Sequence, residues 1–308
     1  MASVEVLGAD PEDARAFLAA VESESGVAPV DEDELRRLDG SPPVRDPGWD
    51  WGAHLAVVDG RPAAYAGVRL APHGTAGAVA RVDVAIDRTH PQAQAALGVV
   101  LADLREHAAR RGLEGGVEAW LRGPGRAEMA TAVAAGFVER GRLHVLGRSL
   151  GAGTDAPAVP LAPSVPDGLR LRTFDMHAPA DAAAVVRLLG RAYPDLAAWY
   201  GDGFAVLTGT SWFRAGDLLL VEEDGALLGL HWMKRRGGAV GEVYNLAVDP
   251  DAQGRGIGPL LLDVGLGHLA ATGCDEVVLW VDASNARALD LYRSRGFTPR
   301  WDDVSLAG

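Results

Sequence analysis

Two stretches of the chain repeat one rhythm of apolar and polar positions. VDVAIDRTHPQAQAALGVVLADL, from Val82, and YNLAVDPDAQGRGIGPLLLDVGL, from Tyr244, each open on an apolar run. Each then passes through an aspartate-containing turn into apolar residues at helical spacing, the pattern of a strand followed by a helix. Farther on, EAWL (Glu118 to Leu121) matches VLWV (Val278 to Val281), and AAGF (Ala134 to Phe137) matches SRGF (Ser294 to Phe297). The copies lie 162 residues apart at Val82 and Tyr244 and 160 apart at Gly136 and Gly296. A nearly constant offset points to an internal duplication.

Between the copies, GAGTDAPAVPLAPSVPDG (Gly151 to Gly168) is rich in Pro, Gly and Ala and has neither rhythm, so it reads as an extended linker. The expected organisation is an N-terminal domain over 1–150, a linker over 151–168 and a C-terminal domain over 169–308.

The duplication supplies its own control. In the second copy the turn reads DAQGRGIGPL (Asp251 to Leu260); in the first it reads RTHPQAQAAL (Arg88 to Leu97). Arg255, Gly256 and Gly258 align with Ala93, Gln94 and Ala96, so a generic strand-to-helix turn manages without these glycines. The second loop is specialised. It enters a helix N-terminus, where unpaired backbone N–H groups and the helix dipole favour an anion. Glycines admit positive φ and close approach, and Gln253 or Arg255 can add donors. The GxxxxGK[ST] of a phosphate loop is missing, and so is the third glycine of GxGxxG. A pyrophosphate held by backbone amides remains.

Hydrophobic residues make up 48% of the 308 positions and charged residues 23%, as in globular proteins. The net charge of −13 argues against nucleic acid as main partner. Cys274 is the single cysteine, so neither an intrachain disulfide nor a cysteine zinc site is expected. No signal peptide or membrane span is visible, which sets the expectation of a cytoplasmic protein that does not engage membranes, monomeric by default.

Gln253-x-x-Gly256-x-Gly258 after LAVDP resembles the acyl-CoA pyrophosphate loop of the GCN5-related N-acetyltransferases (GNAT). VDASNARALDLYRSRGF (Val281 to Phe297) is similar to that family's Asn-x-x-Ala-x-x-x-Tyr-x-x-x-Gly-Phe motif. The resemblance implies two tandem α/β domains, each a mixed, mostly antiparallel sheet flanked by helices, with acetyl-CoA as co-substrate and no metal. It implies cofactor contacts from Leu246, Ala247, Val248, Gln253, Gly254, Arg255, Gly256, Ile257, Gly258, Pro259, Asn285 and Arg287. The amides of Leu246 to Val248 would polarise the acetyl carbonyl. Glu242, an acid on an apolar strand facing the same side as Tyr244, is the candidate general base, and Tyr292 the candidate general acid. The first copy carries Ala80 and Ala132 at those positions, so only the second is expected to catalyse.

Several blocks, GVAPVDEDELRRL, PDGLRLRTF, LLGLHWMK and GEVYNLAVDP, resemble the mycothiol synthases, tandem acetyltransferases of actinobacteria that acetylate the cysteinyl amine of cysteinyl-glucosaminyl-inositol. That resemblance implies acceptor contacts from Glu32, Lys234, Glu242 and Trp280. The chain departs from it at Tyr193-Pro194-Asp195, where the family has His-Pro-Glu, and at Trp280, where it has a tyrosine. Asp195, Trp199 and Tyr200 suit either a rebuilt pocket or ordinary packing. Another small amine or a protein amine remains open as acceptor, and a CoA-binding sensor without turnover is the competing class.

Overall fold

The computed structural model describes residues 3–43, 46, 48–72, 75, 77–151, 164–236 and 239–308. Two compact units emerge, Met1–Leu143 with Trp301–Gly308, and His144–Arg300. This differs from a division at 150 and 169, and most of the expected linker lies outside the described residues.

In the first unit, β1 (Val4–Gly8), β2 (Asp50–Val58), β3 (Arg61–Leu70) and β4 (Ala80–Ile86) pair antiparallel in chain order. β5 (Val117–Arg122) pairs parallel to β4. The next strand on β5 is not the next in the chain. Asp303 to Ala307 of β12 (Thr298–Ala307) pair antiparallel with Arg122 to Glu118, and Arg122 Nη1 donates to Asp303 Oδ2 at 2.9 Å. That pairing moves 301–308 into the first unit. Helices α1 (Pro11–Ser25) and α2 (Glu32–Leu38) precede β2, α3 (Ala93–Arg111) connects β4 to β5, and α4 (Arg126–Ala134) leads to β6 (Val138–Ser149). α3 buries Ala96, Leu97, Val100, Leu101 and Leu104, one stripe at helical spacing, against Val82 and Val84. Each large apolar side chain so buried contributes roughly 1.5–3 kcal/mol.

The second unit repeats the plan. β7 (Arg170–Thr173), β8 (Leu218–Glu223), β9 (Ala226–Arg235) and β10 (Val240–Val248) pair antiparallel, and β11 (Glu276–Asp282) pairs parallel to β10. α7 (Ile257–Ala271) joins β10 to β11, α8 (Ala286–Ser294) follows, and α5 (Pro179–Ala192) and α6 (Ala197–Thr208) lie between β7 and β8. α4 and α8 are offset by the same 160 residues as the sequence repeat. Leu261, Leu262, Leu266 and Leu269 of α7 pack on Met233, Val243, Val277 and Leu279. Cys274 is buried there, and burial pushes its thiol pKa up, against a nucleophilic role. No helix among the described residues is long and apolar enough to cross a membrane.

His231 of β9 is fully buried, with Nδ1 2.8 Å from the Leu261 carbonyl oxygen of α7. A Cβ on Gly265 would fall 2.0 Å from that nitrogen, so the helix needs glycine there. Nδ1 donates, and Nε2 is buried without a hydrogen-bond partner among the described residues. Burial lowers the imidazole pKa from 6.5 to about 4. The unfolded chain therefore takes up a proton as pH falls below 6.5, whereas the native state resists until about 4. This share of stability is present above pH 6.5 and is lost as pH falls toward 4, up to about 3 kcal/mol. Urea titrations at pH 7 and pH 4.5 should show that loss, and His231→Asn should flatten the dependence; an equally steep dependence in the variant would refute it.

Candidate active site

β10 carries a bulge. Glu242 is in register with Lys234 and Val243 with Met233, but Asn245, not Tyr244, is the next residue in register, with Trp232. A bulge adds a residue, breaks the alternation and commonly ends pairing on one side. Here β10 and β11 pair over only three positions, Val240–Glu276, Gly241–Val277 and Glu242–Val278. In the first unit, β4 and β5 pair over five positions without a shift, from Ala80–Val117 to Val84–Leu121. The second sheet therefore opens beyond Glu242, where the first stays closed.

The opening exposes backbone. Asp249 N–H donates to Leu228 O of β9, so by alternation Ala247 also faces β9, while Leu246 and Val248 face the β11 side. Tyr193 Oη, at the end of α5, donates to Leu246 O at 2.8 Å from that side. Of the three expected backbone contacts, Leu246 and Val248 thus present N–H groups toward the opening and Ala247 does not. Burial raises the Tyr193 pKa to about 12 and pushes Tyr292, 7% exposed, well above the usual tyrosine range, with Tyr193 adding to the effect. The Tyr292 ring packs edge-on against Phe297 at 5.7 Å.

The glycine loop follows. Gly254 has φ 84° and Gly256 φ 78°, and Gly256 caps α7. From Gly254 to Gly258, five consecutive backbone N–H groups donate to no backbone acceptor among the described residues; the first bonded amide is that of Leu260, to Gly256 O at 3.1 Å. Pro259, third in the helix, has no N–H to offer. A row of unpaired amides on a helix N-terminus is an anion cradle. The corresponding turn of the first unit pairs more of its amides. Asp251 and Ala252 N–H bond to Asp249 much as Thr89 and His90 N–H bond to Asp87, but in the first turn Gln92 N–H also donates to His90 Nδ1, Ala93 N–H to His90 O and Ala96 N–H to Gln92 O.

Gly258 is a different case from its neighbours. Its φ is not in the left-handed region, and an added Cβ would meet only Val248 and Leu291 at ordinary distances of 3.7 and 3.8 Å. Nothing among the described residues requires glycine there.

The expected side chains also contact one another or their neighbours. Arg255 makes two hydrogen bonds to Glu223, at 2.6 and 2.9 Å, and Gln253 Oε1 accepts from Arg287 at 2.6 Å. Asn285 caps α8 through Oδ1, which accepts from Ala288 N–H at 3.1 Å. The Gln253–Arg287 bond ties the loop to the start of α8.

On the sheet face beside the opening, Glu242 is 7% exposed and accepts at Oε2 from Arg236 Nε, 2.7 Å away. Lys234, in register with it, is also buried, its Nζ 4.6 Å from the Trp212 ring and 5.8 Å from that of Tyr244. Tyr244 and Trp232 rings lie 5.2 Å apart, so the extra residue of the bulge stays on the Glu242 face. The Arg236 guanidinium lies over Trp280, 4.9 Å from its centroid. The structure thus brings together Lys234, Glu242 and Trp280, and adds Trp212 and Arg236, for which no short motif exists. Tyr200 Oη donates to Asn245 Oδ1 at 2.6 Å and its ring lies 6.0 Å from that of Tyr193, so this stretch packs on the bulge. Glu32 opens α2 in the first unit.

Residues 183–297 match the acetyltransferase (GNAT) family. The chain is 38% identical to the mycothiol acetyltransferase of Thermomonospora curvata over 253 residues, covering 81% of this chain and 80% of that protein. It is 36% identical to the mycothiol acetyltransferase of Actinosynnema mirum, covering 97% and 96% respectively. A tandem GNAT protein from the clavulanic acid biosynthesis pathway shares the fold, with TM-score 0.72 and 19% identity, covering 99% of this chain and 97% of that one.

Proposed function

Because the chain belongs to the mycothiol acetyltransferase family, and so is an acetyl-CoA-dependent acetyltransferase with a small-molecule substrate, we propose that it acetylates the cysteinyl amine of cysteinyl-glucosaminyl-inositol. We propose further that the second unit alone does this chemistry. One observation carries that assignment: of two equivalent turns, the first pairs the amides of Gln92, Ala93 and Ala96, whereas the second leaves the five from Gly254 to Gly258 in a row without a bonded acceptor among the described residues.

Acetyl-CoA supplies the acyl group as a thioester and departs as a thiolate. The amides of Gly254 to Gly258 cradle its pyrophosphate. Leu246 and Val248 N–H groups, facing the opening, are placed to hold the carbonyl oxygen as charge develops on it. Glu242 accepts the proton that the amine nitrogen loses as it bonds to the acyl carbon. Lys234, on the same face, disfavours an ammonium and so favours attack by the neutral amine. Tyr292 donates a hydrogen bond to the leaving sulfur.

Gly258 supplies a test of the cradle. Gly258→Ala should weaken acetyl-CoA binding about tenfold or more, some 1.4 kcal/mol, because a methyl group meets the phosphate and not the protein. The melting temperature should hold or rise, since alanine is the better helix former. Titration calorimetry beside thermal melts reads both; unchanged affinity would refute the cradle.

The acceptor is tested by release of free CoA thiol with cysteinyl-glucosaminyl-inositol and a panel of other primary amines. Turnover of that compound above the rest is expected. Turnover of another amine in its place would overturn the acceptor while leaving acetyl transfer intact.

A further inference from the structure

Arg236 is held more firmly than a strand-end arginine need be. Its backbone N–H donates to Val240 O at 2.7 Å, its Nε donates to Glu242 Oε2 at 2.7 Å, and its guanidinium lies on the Trp280 ring. The last two contacts fix the plane of the fork. Nε is then committed, but the two terminal amino groups make no hydrogen bond among the described residues, and the side chain is 34% exposed. Four N–H donors in a fixed plane therefore stand beside the candidate base.

Glu242 already neutralises the guanidinium, so an anionic ligand gains little from it. Neutral hydroxyl oxygens gain more, because each can accept a hydrogen bond from a donor whose charge is compensated. The surroundings fit such a ligand: Trp212, Tyr244 and Trp280 are half-buried, and aromatic rings are flat apolar surfaces of the kind on which sugar C–H groups pack. We propose that Arg236 is an acceptor-binding residue, which orients Glu242 through Nε and donates through its terminal amino groups to hydroxyls of a polyhydroxylated acceptor. The proposal rests on the acceptor assigned above. It also accounts for Trp280, which brings no hydroxyl donor of its own and serves here as the platform that aims the arginine.

The experiment compares two acceptors, cysteinyl-glucosaminyl-inositol and cysteinamide, which carries the same reacting amine without the sugar. In Arg236→Lys and Arg236→Gln, the ratio of kcat/KM for the sugar acceptor to that for cysteinamide should fall about tenfold to a hundredfold, chiefly through the KM of the sugar acceptor. The lysine variant keeps a cation beside Glu242 and loses only the fork, so it should show the same fall. Equal losses on both acceptors would mean that Arg236 only braces Glu242, and would overturn the proposal, as would no loss on either. Failure of the wild-type protein to acetylate the sugar acceptor would overturn the acceptor assignment and this inference with it, and is seen before any variant is made.

Discussion

Glu242→Gln is expected to lower kcat by about two to four orders of magnitude, the usual contribution of a positioned general base. The amide keeps the length and shape of the carboxylate, and its oxygen can still accept from Arg236 Nε, now 2.7 Å from Oε2. It cannot take up the proton released by the amine. Acetyl-CoA affinity should be nearly unchanged, because the cradle at Gly254 to Gly258 is formed by backbone. Glu242 is only 7% exposed, and its loss leaves Arg236 without a counter-charge, so a moderate drop in melting temperature is also expected. Steady-state kinetics beside calorimetric binding separates these effects. A kcat within threefold of wild type would remove Glu242 from the chemistry.

Tyr292→Phe should reduce kcat by about a hundredfold to a thousandfold, the scale seen when one preorganised donor to a developing negative charge is removed. The ring itself is preserved, along with its 5.7 Å contact to Phe297, so stability should change little. Burial refines the role. A phenol whose pKa is raised well above the ordinary tyrosine range keeps its proton throughout neutral pH and shares it with the thiolate more readily than it surrenders it. The wild-type kcat should therefore show no alkaline limb from Tyr292 until pH has passed the ordinary tyrosine value of about 10. A Tyr292→Phe variant with wild-type kcat would leave Tyr292 as packing alone.

What was readable in the chain was what is local. The repeat, the helix N-terminus and the need for glycine at positions 254 and 256 follow from apolar spacing and backbone sterics within ten residues. The bulge was not readable, because Val243 to Asn245 looks like ordinary strand and its extra residue shows only against β9. Arg236 was also hidden: its meaning depends on Glu242 across a turn and on Trp280 across a strand. Arg255 was legible as a basic residue inside an anion loop, whereas its partner, Glu223 of the β8–β9 hairpin, was not, being 32 positions away. The partner of β12 was illegible for the same reason, since the residues that pair there are far apart in sequence.

That last pairing bears on how the protein is made. Arg122 and Asp303 are 181 positions apart, yet their side chains meet inside one unit. During synthesis the outer edge of β5 has no permanent neighbour until the ribosome has delivered β12, a wait of roughly 10–35 s at 5–20 residues per second. For that interval an unsatisfied strand edge stands ready to pair with another nascent chain. A chain cut after residue 300 keeps that edge open for good, and chaperone demand should concentrate in the first half of the polypeptide, away from the glycine loop.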